Sequence, residues 1–146
     1  MFLLDTNVIS ELRVPKRANA NVLAWAASQP VAAQFISTVT VFELELGVLQ
    51  KERKDAAQGA VLRTWLDDQV LPQFAGRVLA FDQTVALQSA RLHVPDPRSD
   101  HDAVIAATAL VHGMTVVTRN TDDFILTGVP LFNPWEFGGH CHVEDD

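Results

Sequence analysis

One cysteine, Cys141, serves the whole chain, so no intrachain disulfide framework is possible and the usage fits a reducing compartment. No apolar run approaches the roughly 18 residues that span a bilayer, which excludes a transmembrane helix and any membrane partner that needs one. Phe2-Leu3-Leu4 is too short for the apolar core of a secretory signal, and Asp5 interrupts it at once. The expectation is a soluble, cytoplasmic protein. Bases are also scarce: 11 Lys and Arg stand against 18 Asp and Glu, for a formal charge of −7. A chain of that balance does not coat nucleic acid through a broad basic field, although a local nucleic-acid site remains open to it. The bases that exist include two clusters, Arg13-Lys16-Arg17 and Lys51-Arg53-Lys54, and an isolated Arg119.

What is present is apolar content, 48% of 146 residues, enough for one domain that buries about two-thirds of its unfolded surface without staples. Phe2, Leu3 and Leu4 are consecutive apolar residues, as in a strand covered on both faces, and a short helix through Val8, Ile9 and Leu12 follows, capped by Thr6 or Asn7. A second helix runs from Asn19 to Ala27, with Trp25 in the core. Ala33–Val39 reads as a strand and Thr40 to Arg53 as a helix, where Thr40-Val-Phe-Glu43 has the spacing of a capping box. Lys54 to Val70 repeats apolar residues at helical spacing and forms a helical hairpin with its predecessor, Trp65 packing into the core. Arg77–Phe81 is a third strand, Asp82 caps a helix to Leu92, and two prolines in His93–Pro97 make a loop. Ser99-Asp-His-Asp102 opens an almost wholly apolar helix to Val111, ended by Gly113. Met114–Thr118 is a fourth strand, and Val129–Phe132 a short edge strand. Strands separated by helices imply an α/β fold with a central parallel sheet of four to five strands. Residues 1–137 form one domain in this reading, and 138–146 a Gly- and acid-rich tail.

Parallel strands bring their carboxyl ends to one edge of the sheet, where ligands bind in open α/β folds. Asp5, Glu43, Asp102 and the group Asn120, Asp122 and Asp123 all stand after strands or at helix starts. Each has a structural alternative: Asp5 as a helix cap, Glu43 in the capping box, Asp102 against the helix dipole. Acids gathered at one edge repel one another, and a hard divalent cation such as Mg²⁺ or Mn²⁺ relieves that with oxygen ligands. Gly47, one turn after Glu43, leaves room on the same face for an approach or for close helix packing. His101 borders Asp102 and is a candidate to orient it, and His112 reads as structural or solvent-facing. His140-Cys-His142 with Glu144 hints at zinc, but adjacent residues do not easily close a tetrahedral site.

Leu4-Asp-Thr-Asn7, Glu43-Leu-Glu-Leu-Gly47, Asp102-Ala-Val-Ile-Ala-Ala-Thr-Ala109 and Thr118-Arg-Asn-Thr-Asp-Asp-Phe124, in that order, resemble a PIN domain. Asp5-Thr-Asn-Val-Ile-Ser-Glu11, Phe74-Ala-Gly-Arg77 and Phe132-Asn-Pro-Trp-Glu136 resemble, more narrowly, the VapC toxins of the FitB-like branch. The resemblance spans Met1 to Glu136 and implies a three-layer PIN-like fold and a Mg²⁺- or Mn²⁺-dependent endoribonuclease. It further implies the toxin of a type II, VapBC-like pair: a homodimer that cleaves RNA, is held by a VapB-like antitoxin, and meets DNA only through that antitoxin. Carried over by motif, Asp5, Glu43 and Asp102 match the acidic catalytic site. The resemblance further implies Asp5, Asp102 and Asn120 as metal ligands, with Glu43 and Asp123 as further candidates and Thr6, Thr118 and Arg119 in support. Asn120 replaces the family's fourth acid, which leaves one fewer charge. The helix 40 to 53 and its successor resemble the dimer and antitoxin-facing region. Two other readings compete. A haloacid-dehalogenase-like phosphatase needs a second Asp where this chain has Asn7, and a non-catalytic partner-binding module would use the acids only as caps.

Overall fold

The computed structural model describes residues 1–138. Among them, five strands form one sheet in the order β3-β2-β1-β4-β5, and every neighbouring pair is parallel. The strands are β1 Phe2–Leu4, β2 Gln34–Ser37, β3 Val78–Leu79, β4 Thr115–Val117 and β5 Leu131–Phe132. The chain works outward from β1 to β2 and β3, then returns to add β4 and β5 on the other side. That reversal makes the gap between β1 and β4 a topological switch point, where crossovers leave in opposite directions and a crevice opens.

Leu3 and Leu4 are both buried, yet they belong to different cores because successive strand residues face opposite ways. Leu4 and Val117 join Val8, Trp25, Ile36, Leu44, Val48, Leu66 and Phe74 on one face. Leu3 and Val116 join Ile105, Ala106, Ala109, Met114 and Phe124 on the other. Each leucine contributes about 1.5–3 kcal/mol by burial, so a sheet covered on both sides selects an unbroken apolar run.

The first face is covered by α1 Thr6–Glu11, α2 Ala20–Ser28, α3 Thr38–Lys54 and α4 Ala56–Trp65. A π-helical turn, Leu66–Val70, carries α4 into the short α5 Leu71–Gln73. On the other side lie α6 Gln83–Arg91 and α7 Asp100–His112. Small residues let α7 lie close to the sheet: Ala103, Ala106, Ala107 and Ala109 are fully buried, and Gly113 ends the helix in the left-handed conformation at φ 67°.

Several boundaries depart from the sequence reading. Asp5 itself, not Thr6 or Asn7, caps α1. Helix α3 opens three residues ahead of Thr40 at a Ser37 cap, whose side chain accepts from Val39 N at 3.0 Å. The capping box at Thr40–Glu43 therefore does not form, because Thr40 is already inside the helix and buried. Ser37 wins because its hydroxyl meets the first free N–H groups where β2 ends. Trp25 is core, as expected, whereas Trp65 is only partly buried. The α3–α4 hairpin is close-packed at Gly59, where a Cβ would come within 2.4 Å of the Glu52 backbone. Arg63 ties its outer face through Glu45 at 2.7 Å, Glu52 at 3.2 Å and Asp67 at 3.4 Å. The His140-Cys-His142 zinc reading lies outside the described residues.

Candidate active site at the switch point

The pairing of Leu4 with Val117 sets Asp5 beside Thr118 at the carboxyl ends of β1 and β4. Asp5 N donates to Val117 O at 2.9 Å, which continues the ladder by one bond and fixes the carboxylate at the switch point. Its two oxygens then do different things. Oδ1 caps α1 by accepting from Thr6 N at 2.8 Å, while Oδ2 accepts from Thr118 Oγ1 at 2.8 Å and from Asn7 Nδ2 at 3.4 Å. Capping and a site role are thus not exclusive for this residue.

Thr118 is fully buried, and its hydroxyl is fully used. It donates to Asp5 and accepts from Asn7 Nδ2 at 3.2 Å and Asn120 N at 3.0 Å, which accounts for its one hydrogen and both lone pairs. Arg119 N adds a 3.4 Å bond to Asn7 Oδ1. The loop after β4 is therefore pinned to the loop after β1.

Glu43 arrives from the second turn of α3. Without a capping box, its carboxylate is free of the helix backbone; instead Oε1 accepts from Thr6 Oγ1 and lies against His101 Nε2. Thr6 Oγ1 also meets Thr40 Oγ1 at 3.1 Å, so α1 and α3 are joined by hydroxyls beside the acid. Asp102 arrives from the first turn of α7. Ser99 serves as the cap by accepting from Asp102 N at 3.2 Å, which leaves the Asp102 carboxylate outside the capping arrangement.

These residues line one cleft of about 520 Å³: Asp5, Thr6, Asn7, Ser10, Glu11, Glu43, His101, Asp102, Arg119, Asn120 and Trp135. Four acids thus face the same space from three distant segments: Asp5 and Glu11 at the two ends of α1, Glu43 on α3 and Asp102 on α7, with Glu11 Oε2 already accepting from Asn19 N at 2.7 Å. Asp122 and Asp123 are exposed and stand outside its lining. Asp123 is nevertheless felt there. Burial first, then the charges of Asp5 and Asp123 and, more weakly, Glu43, push the Asp102 carboxyl above the ordinary range, while His101 works the other way. Gly47 opens onto a side hollow shared with Thr6, Ser10 and Glu43, and a Cβ there would meet nothing within 4 Å. It leaves space; it does not serve close packing. His112 is exposed at the end of α7 and distant from this chemistry.

Among the described residues, no three His, Cys, Asp or Glu side chains converge tightly enough to enclose a metal ion alone. The donors are all hard oxygens around an open cleft, and an ion such as Mg²⁺ takes one or two carboxylates while keeping much of its water. The donor chemistry and the mutual repulsion at Asp102 fit such a cation.

Sequence reading gave no site role to Ser10, Glu11 or Trp135. Trp135 sits on a short turn, Pro134–Glu136, capped by Asn133 Oδ1 accepting from Trp135 N at 2.9 Å. The Asn-Pro pair was the available signal for a fixed turn, but nothing local said that it would reach the cleft.

Known proteins resemble this chain over nearly its whole length. Toxin FitB of Neisseria gonorrhoeae is 42% identical over 144 residues, covering 92% of this chain and 99% of the relative. VapC ribonuclease Y4jK of Sinorhizobium fredii is 39% identical over 143 residues, covering 93% and 99%. The crystal structure of FitAcB from Neisseria gonorrhoeae superposes with a TM-score of 0.86 at 40% identity, covering 94% of this chain and all of that one. A structure of FitAB bound to an IR36 DNA fragment gives 0.80 at 39% identity, covering 92% and 96%. The PIN-domain family model matches residues 2–128. With β1 through β4 and Asp5, Glu43 and Asp102 inside that match, the chain belongs to the PIN-domain family.

Proposed function

We propose that this protein is the toxin of a VapBC-like toxin–antitoxin pair, a metal-dependent endoribonuclease that hydrolyses RNA phosphodiester bonds in the cytoplasm. The observation that carries the reading is the gathering of Asp5, Glu43 and Asp102 around one cleft at the switch point. A FitB toxin and a VapC ribonuclease that align over more than nine-tenths of this chain support it. Residues 1–137 act as one catalytic unit in this reading. By the same analogy the protein is a homodimer, is restrained by a VapB-like antitoxin, and touches DNA only through that partner. Among the described residues, no helix is long and apolar enough to cross a membrane.

Asp5, Asp102 and Asn120 would hold Mg²⁺ or Mn²⁺, with Glu43 and Asp123 contributing charge. Bound there, the cation supplies neutralisation of phosphate charge and a more acidic water. The protein's own part is positioning. Thr118 and Asn7 fix the Asp5 carboxylate through Oδ2, and the Thr6 hydroxyl with His101 orients Glu43 to accept a proton from the attacking water. Asn7 fills the place where a phosphatase of the dehalogenase type carries its second Asp, and its amide serves Thr118 and Asp5.

Induced expression of the full chain in a bacterial host tests this reading. Wild type is expected to arrest growth and degrade cellular RNA, Asp5→Asn to do neither, and a small DNA-binding protein encoded next to it to relieve the arrest. Normal growth and intact RNA with wild type expressed in folded form would overturn it.

A further inference from the structure

Trp135 is the single hydrophobic side chain in a cleft otherwise lined by Asp, Glu, Asn, Thr, Ser, His and Arg, among the described residues. Trp135 packs against the same core as Trp25, which is 2% exposed, yet it remains partly open and also lines the cleft. The backbone of the turn that carries it is held at two points. Trp135 N donates to Asn133 Oδ1 at 2.9 Å, and Trp135 O accepts from Asn21 Nδ2 at 2.7 Å, which fastens the turn to α2. Arg119, the base expected to meet phosphate or an acid, pairs with no carboxylate among the described residues; its guanidinium lies 5.2 Å from the centre of the Trp135 ring. A planar cation laid near a fixed aromatic ring, at the mouth of an acidic cleft, is a surface suited to a flat and polarisable group.

The charge of the chain gives this surface a purpose. At −7 overall, with Asp5, Glu43 and Asp102 in the cleft, the protein offers RNA little long-range attraction. Stacking needs no such field, since every nucleobase has a π-face and both indole and guanidinium planes accept one. We propose that Trp135, with Arg119 beside it, is the substrate-positioning platform of the cleft: it stacks an unpaired nucleobase of single-stranded RNA next to the scissile phosphate. This rests on the ribonuclease reading. Specificity then includes a demand for a base that can leave its own stack, so paired RNA is a poor substrate.

The test uses the full chain and two independent readouts. For cleavage of a single-stranded RNA with Mg²⁺, Trp135→Leu keeps apolar bulk but removes the plane. KM is expected to rise roughly 5- to 100-fold, with kcat changed much less and Trp135→Phe restoring most of the loss. Unchanged KM in a folded Trp135→Leu, or a loss confined to kcat, would overturn the platform. For binding, Asp5→Asn is titrated with oligo(rA) and with a blunt RNA duplex while tryptophan fluorescence is followed. Quenching by oligo(rA) alone, abolished when Trp135→Phe is added, supports the platform even if Trp135→Leu does not fold. Equal quenching with and without Trp135 would overturn it. Failure of the ribonuclease reading is separable: wild type would cleave nothing while the Trp135-dependent quenching persisted.

Discussion

Replacing Thr118 with valine removes the bond that holds the first acid in place, together with the hydroxyl's two accepted bonds from Asn7 and Asn120. Val keeps the shape of the side chain and removes only the hydroxyl, which is fully buried and donates to Asp5 Oδ2 at 2.8 Å. A hydrogen bond to an ionised group contributes about 1.5–3 kcal/mol, and stranding its buried partner adds on the order of 1–3 kcal/mol. The carboxylate keeps Thr6 N and the longer Asn7 contact, and Asn120 is exposed enough for its N–H to meet water. The lower half of that sum applies, so Thr118→Val is expected to lose roughly 2.5–4 kcal/mol in urea unfolding. Thr118→Ser, which restores the hydroxyl, should recover most of it. Because the same bond aims Asp5, RNA cleavage should fall by about 100-fold, as for a 1 Å misplacement, under conditions where the variant is folded. A Thr118→Val protein within about 0.5 kcal/mol of wild type and equally active would refute the argument, since that is the range of an ordinary surface change.

The raised carboxyl of Asp102 sets a pH dependence. A carboxyl whose folded pKa exceeds its unfolded value favours the fold while protonated, and that contribution is lost as pH rises through the folded pKa. Without divalent cations, Asp102→Asn should therefore melt above wild type at neutral pH, with the gap closing as pH falls through the carboxylate range. Adding Mg²⁺ should raise the melting point of wild type, by up to about 2.7 kcal/mol of stability at a hundredfold excess over Kd, and leave Asp102→Asn nearly unmoved. Gly59→Ala would drive a Cβ into the Glu52 backbone and should cost about 1–3 kcal/mol by urea unfolding. Gly47→Ala meets nothing within 4 Å inside a helix and should gain up to about 1 kcal/mol in the same assay.

The parts of the fold legible in the sequence were those fixed by short-range pattern. The unbroken apolar run at Phe2–Leu4 marked a strand covered on both sides, and the small-residue run after Asp102 marked a buried helix. Strand and helix alternation then implied parallel pairing, which in turn brought distant acids to one edge. The opening of α3 was not legible. Thr38, Val39 and Thr40 are β-branched and extend a strand pattern past Ser37, and Thr40–Glu43 imitates a capping box. Only the end of sheet pairing at Ser37 decides the matter, and that is tertiary information. The consequence reached the site, because moving the cap to Ser37 released Glu43 from a structural duty. Trp135 was hidden for a related reason: its place in the cleft depends on Asn21 of α2 holding the turn, a contact 114 residues apart.

The proposed function requires that Asp5 act with a divalent cation to hydrolyse RNA. Incubating the purified chain with single-stranded RNA in Mg²⁺, Mn²⁺ or excess chelator, beside Asp5→Asn, and identifying the product ends decides this. The expected result is cleavage by wild type only with the cation, products without 2′,3′-cyclic phosphate because water is the nucleophile, and at least about a hundredfold loss in Asp5→Asn. Cleavage that survives the chelator, or an Asp5→Asn variant as active as wild type, would contradict the account.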